Sequence, residues 1–481
     1  MLEILSQNQI KQIHEASIEI LEKIGITFYH DMALKIFKEN GANVDGKEVK
    51  IPEDLVKEAL SNAPHEFIWY ARDSKHNLYI DNSKVYYSGI YGHPFVLDMK
   101  DDRRRKALLK DVEEITKITD ALENIHAAGG MIVEPSDVPP EVSHVYVYLS
   151  MLKNTRKCIL GHAYGVKARD CIEMAEIVLG GYEVLLKKPF IATLINPTSP
   201  LQYGTEMIEG LLFYVKHNQP VIITPLIQAG GTGPATLAGL LAQQNAEFLA
   251  GLTLAELVQP KAPVIYGTAS TIMDARTGIP CAGAPEAGLI CVATTQLAHY
   301  YGLPSRVSGG LTDSKIPDIQ AGYEKALTCL LASLAKPNLV LHAAGSLEYY
   351  LTASAVQLII DNEILGWISR VLSGIDVTPE SLAFDVIKNA KEIGHFLTQK
   401  HTLKHFMQEF WIPKITDRHP WFVWKSKGSK DLVKKAKEEA EKILKEHEPL
   451  PLDKDILKGL NEFIKQVETR EQRLVKSKNH F

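Results

Sequence analysis

Residues 189–197 read PFIATLINP, residues 220–228 read PVIITPLIQ and residues 262–270 read APVIYGTAS. Each run is short, opens at or next to a proline and is rich in Val and Ile. A strand with water on one face alternates apolar and polar residues, and these do not, so both of their faces are buried. The residues between the runs carry helical spacing. Strands buried on both sides and joined by helices form a parallel sheet covered by helices. The same rhythm extends upstream through IHAAGGMIV (125–133) and KCILGHA (157–163), and downstream through SRVSGGL (305–311) and NLVLHAAG (338–345). An eighth member is expected at GHFL (394–397). Eight such units predict a (β/α)8 TIM barrel. The competing open sheet carries a GxGxxG turn after its first strand, which IHAAGGMIVEPSD does not supply.

The segments flanking this rhythm differ from it. Residues 1–107 read as an N-terminal extension. Ile10, Ile13, Ile20, Leu21 and Ile24 keep helical spacing up to Gly25, DMALKIFKENG (31–41) is a second helix, and residues 64–99 alternate in short strands. Residues 108–428 are the expected catalytic barrel, opened by the amphipathic helix LLKDVEEITKITDALEN (108–124). Residues 429–481 are charge-rich, with Leu432, Ala436, Ala440 and Ile443 on one stripe. They predict a pair of helices on the barrel exterior, split at Pro449 and Pro451.

Composition sets bounds on function. The 481 residues carry a net charge of −5, with 45% apolar and 23% charged side chains. There is no global basic field for nucleic acid or an anionic membrane, and the run Arg103–Lys106 reads as a solvated approach to a helix. The longest apolar candidate for a membrane span, TLAGLLAQQNAEFLAGLTLAELV (236–258), contains Gln, Asn and Glu. Cys158, Cys171, Cys281, Cys291 and Cys329 form no CxxC pair and are odd in number, which points to free thiols in a reducing compartment. MLEILSQNQI has no signal-peptide pattern. The expectation is a cytoplasmic protein.

No strong catalytic motif appears. QAGGTGPATLAGLL (228–241) lacks the GK[ST] of a phosphate loop. It is either a tight turn or a place where backbone N–H groups meet a ligand. NIHAAG (124–129) differs from the Asp-x-His-x-x-G cobalt-ligand signature at its first residue, and it reads as the first barrel strand. Histidines and cysteines lack zinc spacing, so no metal is expected. What remains is position. The C-terminal mouth of a barrel is where catalytic groups sit, and Asp313, Lys315, His342, Glu348 and Tyr350 follow predicted strands there. Tyr349 adjoins Tyr350, Tyr266 follows another predicted barrel strand, and Tyr87, Tyr91 and His93 lie near strand ends of the N-terminal segment. Aromatic residues around one mouth would suit a cation without N–H donors.

GGLTDSKIPDIQAGYEK (309–325), NPTSPL (196–201), QQNAEFLAG (243–251), GAPEAGLI (283–290), IIDNEILG (359–366) and LTQKHTLKHFMQEFWIPKITDR (397–418) together resemble the trimethylamine:corrinoid methyltransferase family over nearly the whole chain. The resemblance implies a (β/α)8 barrel that passes a methyl group from a methylated amine to the Co(I) of a separate corrinoid protein. It also implies a homo-oligomer with no tightly bound cofactor of its own. In the trimethylamine enzymes the residue before Thr/Ser-Asp-Ser/Ala-Lys is pyrrolysine; here it is Leu311. A leucine forms no adduct with an amine, so the expected substrate is already activated: a quaternary amine such as glycine betaine, whose nitrogen carries a fixed positive charge. Asp313, His342 and Glu348 are the candidate catalytic groups. Tyr91, His93, Gln228, Tyr266 and Tyr350 are the candidate substrate contacts, and Leu311 is expected to be a neutral wall. Backbone N–H groups at Gly230 and Gly231 would help to bind a carboxylate. Another methylated onium compound, or a silent betaine-binding protein, are the alternatives.

Overall fold

In a computed structural model, residues 1–81 and 83–478 are described. Eight parallel strands form the central sheet: β1 (Tyr86–Tyr87), β2 (Ala127–Gly130), β3 (Cys158–Leu160), β4 (Ile191–Ile195), β5 (Val221–Ile223), β6 (Val264–Gly267), β7 (Ser305–Ser308) and β8 (Leu339–Leu341). β8 pairs with β1, and a parallel bridge between Ser88 and Ala127 joins β1 to β2, which brings the two edges of the sheet together as a barrel. The strands alternate with helices α1 (Leu109–Ala121), α2 (Ser143–Asn154), α3 (Gly165–Leu179), α4 (Thr205–Lys216), α5 (Leu237–Val258), α6 (Pro285–Tyr300), α7 (Ile319–Ala335) and α8 (Ala355–Leu372).

The barrel fold is as expected, but its first strand is not where the sequence suggested. IHAAGGMIV supplies the second strand, and GHFL lies in the turn after the helix Phe384–Ile393. The first strand is Tyr86–Tyr87, inside the segment read as an extension. A strand of two residues offers too few positions for any period to show. The Arg103–Lys106 run leads into α1 with Arg103, Arg104 and Lys106 exposed, as expected, but it is not irregular. Arg104–Lys106 is a strand antiparallel to Phe95–Leu97, and Arg105 pairs with Asp98 and Asp111.

Strand residues alternate between two environments, as the period of two requires. Tyr86, Ala127, Cys158, Leu160, Ala192, Leu194, Ile222, Ile265, Leu339 and Leu341 fill the lumen. Tyr87, Ala128, Ile159, Ile191, Ile195, Val221, Ile223, Val264, Tyr266, Val307 and Val340 face the helices. The lumen cluster also takes in Trp69, Leu78 and Ile80, from the hairpin Phe67–Trp69/Leu78–Ile80. Trp69 Nε1 donates to the carbonyl of Phe190, just before β4. This hairpin therefore closes the N-terminal end of the barrel, and among the described residues the C-terminal mouth is the open end.

Helix α5 is apolar on every side because it is buried on every side. The barrel lies against one flank, and the N-terminal helices Gln7–Glu19 and Glu53–Asn62 lie against the other. One of its polar residues, Asn245, bonds Ser17, Tyr301 and Tyr266. Among the described residues no helix is long and apolar enough to cross a membrane. Beyond α8 come three short helices, α9 (Phe384–Ile393), α10 (Lys400–Glu409) and α11 (Trp421–Ser426). They are followed by α12 (Leu432–Glu446) and α13 (Lys454–Lys478), with Pro449 and Pro451 in the break. α12 buries Ala436 and Ala440. Arg470 of α13 grips the buried Asp170 of α3 with two hydrogen bonds.

One buried cation caps α1. Lys157, 4% exposed, donates from Nζ to the carbonyls of Thr119, Leu122 and Ile125 at 2.7, 2.6 and 2.5 Å. Lys157→Met would leave those carbonyls unpaired in the interior, so the expected loss is roughly 3 kcal/mol or more, read as a lower denaturant midpoint. Tyr266, expected from the sequence to be a substrate contact, stacks on Phe248 at 3.8 Å and donates to Asn245 at 2.9 Å, facing away from the lumen. Tyr266→Phe is therefore expected to cost about 1 kcal/mol of stability and to leave ligand affinity unchanged by titration calorimetry.

Candidate active site

A cavity of about 250 Å³ opens at the C-terminal mouth, and residues from or just beyond all eight strands line it. Its positions follow from strand parity carried one step past the regular strands. β3 points Cys158 and Leu160 inward, and His162 continues that side. β4 does the same with Asn196 after Leu194, and β5 with Thr224 after Ile222. Tyr91, Met131, Glu134 and Tyr164 form the rim and upper wall from the first three strand-to-helix loops, and Glu134 and Tyr164 are exposed.

Arg306 lines the cavity from β7, where parity turns it into the lumen. It is 0% exposed. Nη1 donates to the Thr268 carbonyl at 2.5 Å and Nη2 lies 3.2 Å from His342 Nδ1. Nε has no partner, and among the described residues no carboxylate pairs with the guanidinium. Burial lowers its pKa to about 10, so it stays charged at neutral pH. An uncompensated buried cation is costly. Here it sits at the wall of an open cavity, where an anion could reach it.

His342 leaves the strand alternation through a left-handed backbone, φ 63°, which swings its ring into the cavity. Burial first, and then the Arg306 charge, holds its pKa well below the ordinary value. With Nδ1 facing a guanidinium N–H, the ring is neutral and carries its proton on Nε2. His162 is similar: Nδ1 accepts the backbone N–H of Tyr164 at 3.1 Å, and burial takes its pKa down to about 3. Tyr350 packs 4.5 Å from the His342 ring, with its hydroxyl 3.3 Å from Ser308 Oγ, and the ring of Tyr91 lies edge-on to His342 at 6.3 Å. The cavity thus joins one fixed cation, neutral imidazoles, aromatic faces and an acidic rim. Among the described residues no group of three His, Cys, Asp or Glu side chains could hold a metal ion.

Of the residues singled out in the sequence, Tyr91, His342 and Tyr350 come together in this cavity. His93 stands behind it, fully buried, with its ring 6.3 Å from that of His342 and Nδ1 3.1 Å from the Tyr91 carbonyl. The others lie elsewhere. Asp313 is a structural staple, its carboxylate accepting the N–H groups of Ala282 and Gly283 at 2.9 and 3.2 Å. Glu348 is taken up by Arg104 and Thr352 at 2.8 and 2.7 Å. Gln228 belongs to a tight turn that its own carbonyl closes onto Gly231 and Thr232, so the glycines of 228–233 serve the turn. Leu311, 3% exposed, is not among the cavity-lining residues.

The loops that carry His342 and Leu311 are clamped from behind. Lys325 Nζ donates to the carbonyls of Gly310 and of Ser346 and pairs with Asp361 at 3.1 Å, and Asp361 accepts Gly345 N–H at 2.6 Å. Gly310 has φ 68°, and a Cβ there would lie 2.4 Å from the Ala343 carbonyl. No side chain fits at that crossing.

Arg306, His162, Asn196, Glu134 and Tyr164 were missed in the sequence. For the first three a signal exists. Arg306 is a charge inside a strand whose neighbours are otherwise buried, and His162 and Asn196 hold the inward parity of their strands. Glu134 and Tyr164 sit in loops, where no period applies.

Comparison with known proteins places the chain in a family. The family model for trimethylamine methyltransferase (MTTB) matches residues 1–472. A glycine betaine methyltransferase of Desulfitobacterium hafniense (strain Y51) is 41% identical over 464 residues, covering 96% of each chain. A trimethylamine methyltransferase MttB of D. hafniense (strain DSM 10664 / DCB-2) is 35% identical over 466 residues, covering 96% of this chain and 93% of that protein. The crystal structure of the Methanosarcina barkeri monomethylamine methyltransferase (MtmB) superposes with a TM-score of 0.52 at 11% identity, over 93% of this chain and 89% of that one, and so shares the fold. With a match that spans barrel, mouth and flanking helices, this chain belongs to the trimethylamine methyltransferase (MTTB) family.

Proposed function

We propose that this methyltransferase takes its methyl group from a small carboxylated quaternary amine, glycine betaine or a close relative. The observation that carries this reading is Arg306, a buried guanidinium facing the cavity with no carboxylate of the protein beside it among the described residues. Trimethylamine has no anionic group and would leave that charge unpaired. A betaine carboxylate would take a charge-assisted hydrogen bond from it. The relative at 41% identity is named for glycine betaine, and Leu311 replaces the pyrrolysine expected in a trimethylamine enzyme. A cavity of about 250 Å³ suits a small ligand, since drug-sized ligands occupy roughly 300–1,000 Å³.

Binding the carboxylate at Arg306 turns the ammonium toward the exposed rim. There Tyr91 and Tyr164 offer aromatic faces and Glu134 a negative charge, both suited to a cation that has no N–H to donate. The neutral rings of His342 and His162 add N–H donors without adding positive charge against the ammonium. A corrinoid in its Co(I) state, carried by a partner protein, supplies the nucleophile that accepts the methyl group. The C–N electron pair stays on nitrogen, which leaves as a neutral tertiary amine, so no general acid or base is needed. The chain's work is to orient one methyl outward and to keep water away from it. Five free cysteines, four of them buried, fit a reducing, cytoplasmic setting.

The test is methyl transfer to cob(I)alamin, free or on the partner protein, followed by absorbance. Glycine betaine is expected to turn over and trimethylamine is not; the reverse pattern would end the proposal. Arg306→Met should weaken glycine betaine binding by at least 30-fold, about 2 kcal/mol, while changing affinity for uncharged-tail ammonium compounds such as choline far less. Equal losses for both would remove the carboxylate from Arg306. Because burial holds His342 and His162 neutral, betaine affinity should stay flat from about pH 5 to 8. A rise on acidification through the ordinary His range would show that one of them charges.

A further inference from the structure

His144 lies in the first turn of α2, and its ring is buried. Nε2 meets Asp170 Oδ2 at 2.8 Å, and Nδ1 has no partner among the described residues. Asp170 is buried as well, and it is shared. Arg470 reaches it from α13, with Nη1 donating to Oδ1 at 2.8 Å and Nη2 to Oδ2 at 2.7 Å. His144 also lies edge-on to His162, with ring centres 6.3 Å apart. His162 lines the cavity. A chain of contacts therefore runs from the C-terminal helix to the wall of the site.

A buried carboxylate beside an imidazole ordinarily favours the charged ring. Here that pull is opposed. Burial lowers the His144 pKa and outweighs the attraction of Asp170. The first turn of a helix is its positive end, which also disfavours a cation. Asp170 itself stays ionised: burial pushes its pKa up, but the hydrogen bonds from Arg470 and His144 more than offset that. An ionised carboxylate only accepts, so His144 Nε2 carries the proton and Nδ1 is bare. The charges that bear on His144 are Asp170 and Lys167 of α3 and Arg470 of α13, and the ring of His162 stands against it from the loop after β3. Glu471 of α13 is taken up by Arg470 Nε at 2.8 Å. Arg470 is thus the counter-charge to Asp170, and it comes from outside the barrel's own strand–helix units.

We propose that Arg470 is a positioning residue for the cavity: by occupying Asp170 it keeps the imidazole behind His162 uncharged, so that this wall accepts a cation. The consequence for the ligand rests on the quaternary-amine reading; the state of His144 does not, and it is measurable with no ligand present. Without Arg470, Asp170 would be a buried anion whose remaining partner is His144. Stranding a buried charge is costly, so the ring is expected to take up a proton. The sign follows. A raised pKa leaves imidazolium present at low pH and lost as pH rises through it. That charge would act on His162 and stand against an ammonium in the cavity.

Two measurements on the full chain test this. Histidine-ring NMR without ligand, with His144 identified by its loss in His144→Gln, should show a ring that does not titrate between about pH 5 and 8 in the wild type and does in Arg470→Met. In methyl transfer to cob(I)alamin, the glycine betaine KM of Arg470→Met should climb roughly tenfold on acidification across that range, while the wild-type KM stays flat. The loss belongs to KM rather than kcat, because the ammonium charge disappears as the C–N bond breaks. Arg470→Met/Asp170→Asn, which removes the anion too, should regain the flat profile. A His144 that titrates in the wild type, one that does not in Arg470→Met, or a KM that still climbs in the double variant would each overturn the proposal, the last by marking a merely structural contact. Where Arg470→Met does not fold, Arg470→Gln removes the charge and keeps a hydrogen-bond donor for Asp170. If the wild-type chain turns over no quaternary amine, the substrate reading fails, and the ring titration alone decides for or against Arg470.

Discussion

A positive charge buried in the wall of the barrel's cavity sets the terms for everything around it. Arg306 is drawn inward by the alternation of β7, and its only protein partners among the described residues are a carbonyl and a neutral imidazole. The cluster that fills the lumen is mostly Leu, Ile, Ala and aromatic packing, which offers nothing to offset a charge. Such an arrangement is stable only because the barrel is held together elsewhere, and useful only if something anionic arrives. The guanidinium also adds to what burial does to its neighbour: both disfavour a charge on His342, burial the more.

The scaffold that holds this charge in place is built from buried polar contacts as much as from apolar ones. The Lys325–Asp361 pair ties the loops after β7 and β8 to each other through the backbone of Gly310, Gly345 and Ser346. Breaking such a pair leaves a stranded charge, which typically costs 3–5 kcal/mol. Asp313 does comparable work without an ion pair, binding the entry to α6 to the loop after β7. The conspicuous Leu-Thr-Asp-Ser-Lys stretch therefore reads in three dimensions mainly as architecture. Its leucine is packed away and its aspartate is occupied by backbone N–H groups.

Much of the barrel was legible in the sequence, because buried parallel strands have a composition that few other elements share. Seven of the eight strands were found from Val- and Ile-rich runs. Tyr86–Tyr87 was not, because two residues cannot display a period. Its tyrosines suggested a separate small sheet instead. The site was less legible. Proximity to a strand end picked out Tyr91, His342 and Tyr350, but it equally picked out Tyr266, Asp313 and Glu348. Parity separates some of these. Val264 and Tyr266 share a face, and Ile265 has the other, so Tyr266 had to point at a helix. His342 shows the limit of parity, since a left-handed residue reverses its side and nothing in NLVLHAAG announces that.

The hairpin that carries Trp69 and Ile80 makes the barrel a vessel with a single door. Under the proposed reaction, the amine that remains after methyl loss can leave only by the opening the methyl acceptor must cover. Departure of the small product then waits on departure of the large partner, and each visit by that partner is confined to one transfer.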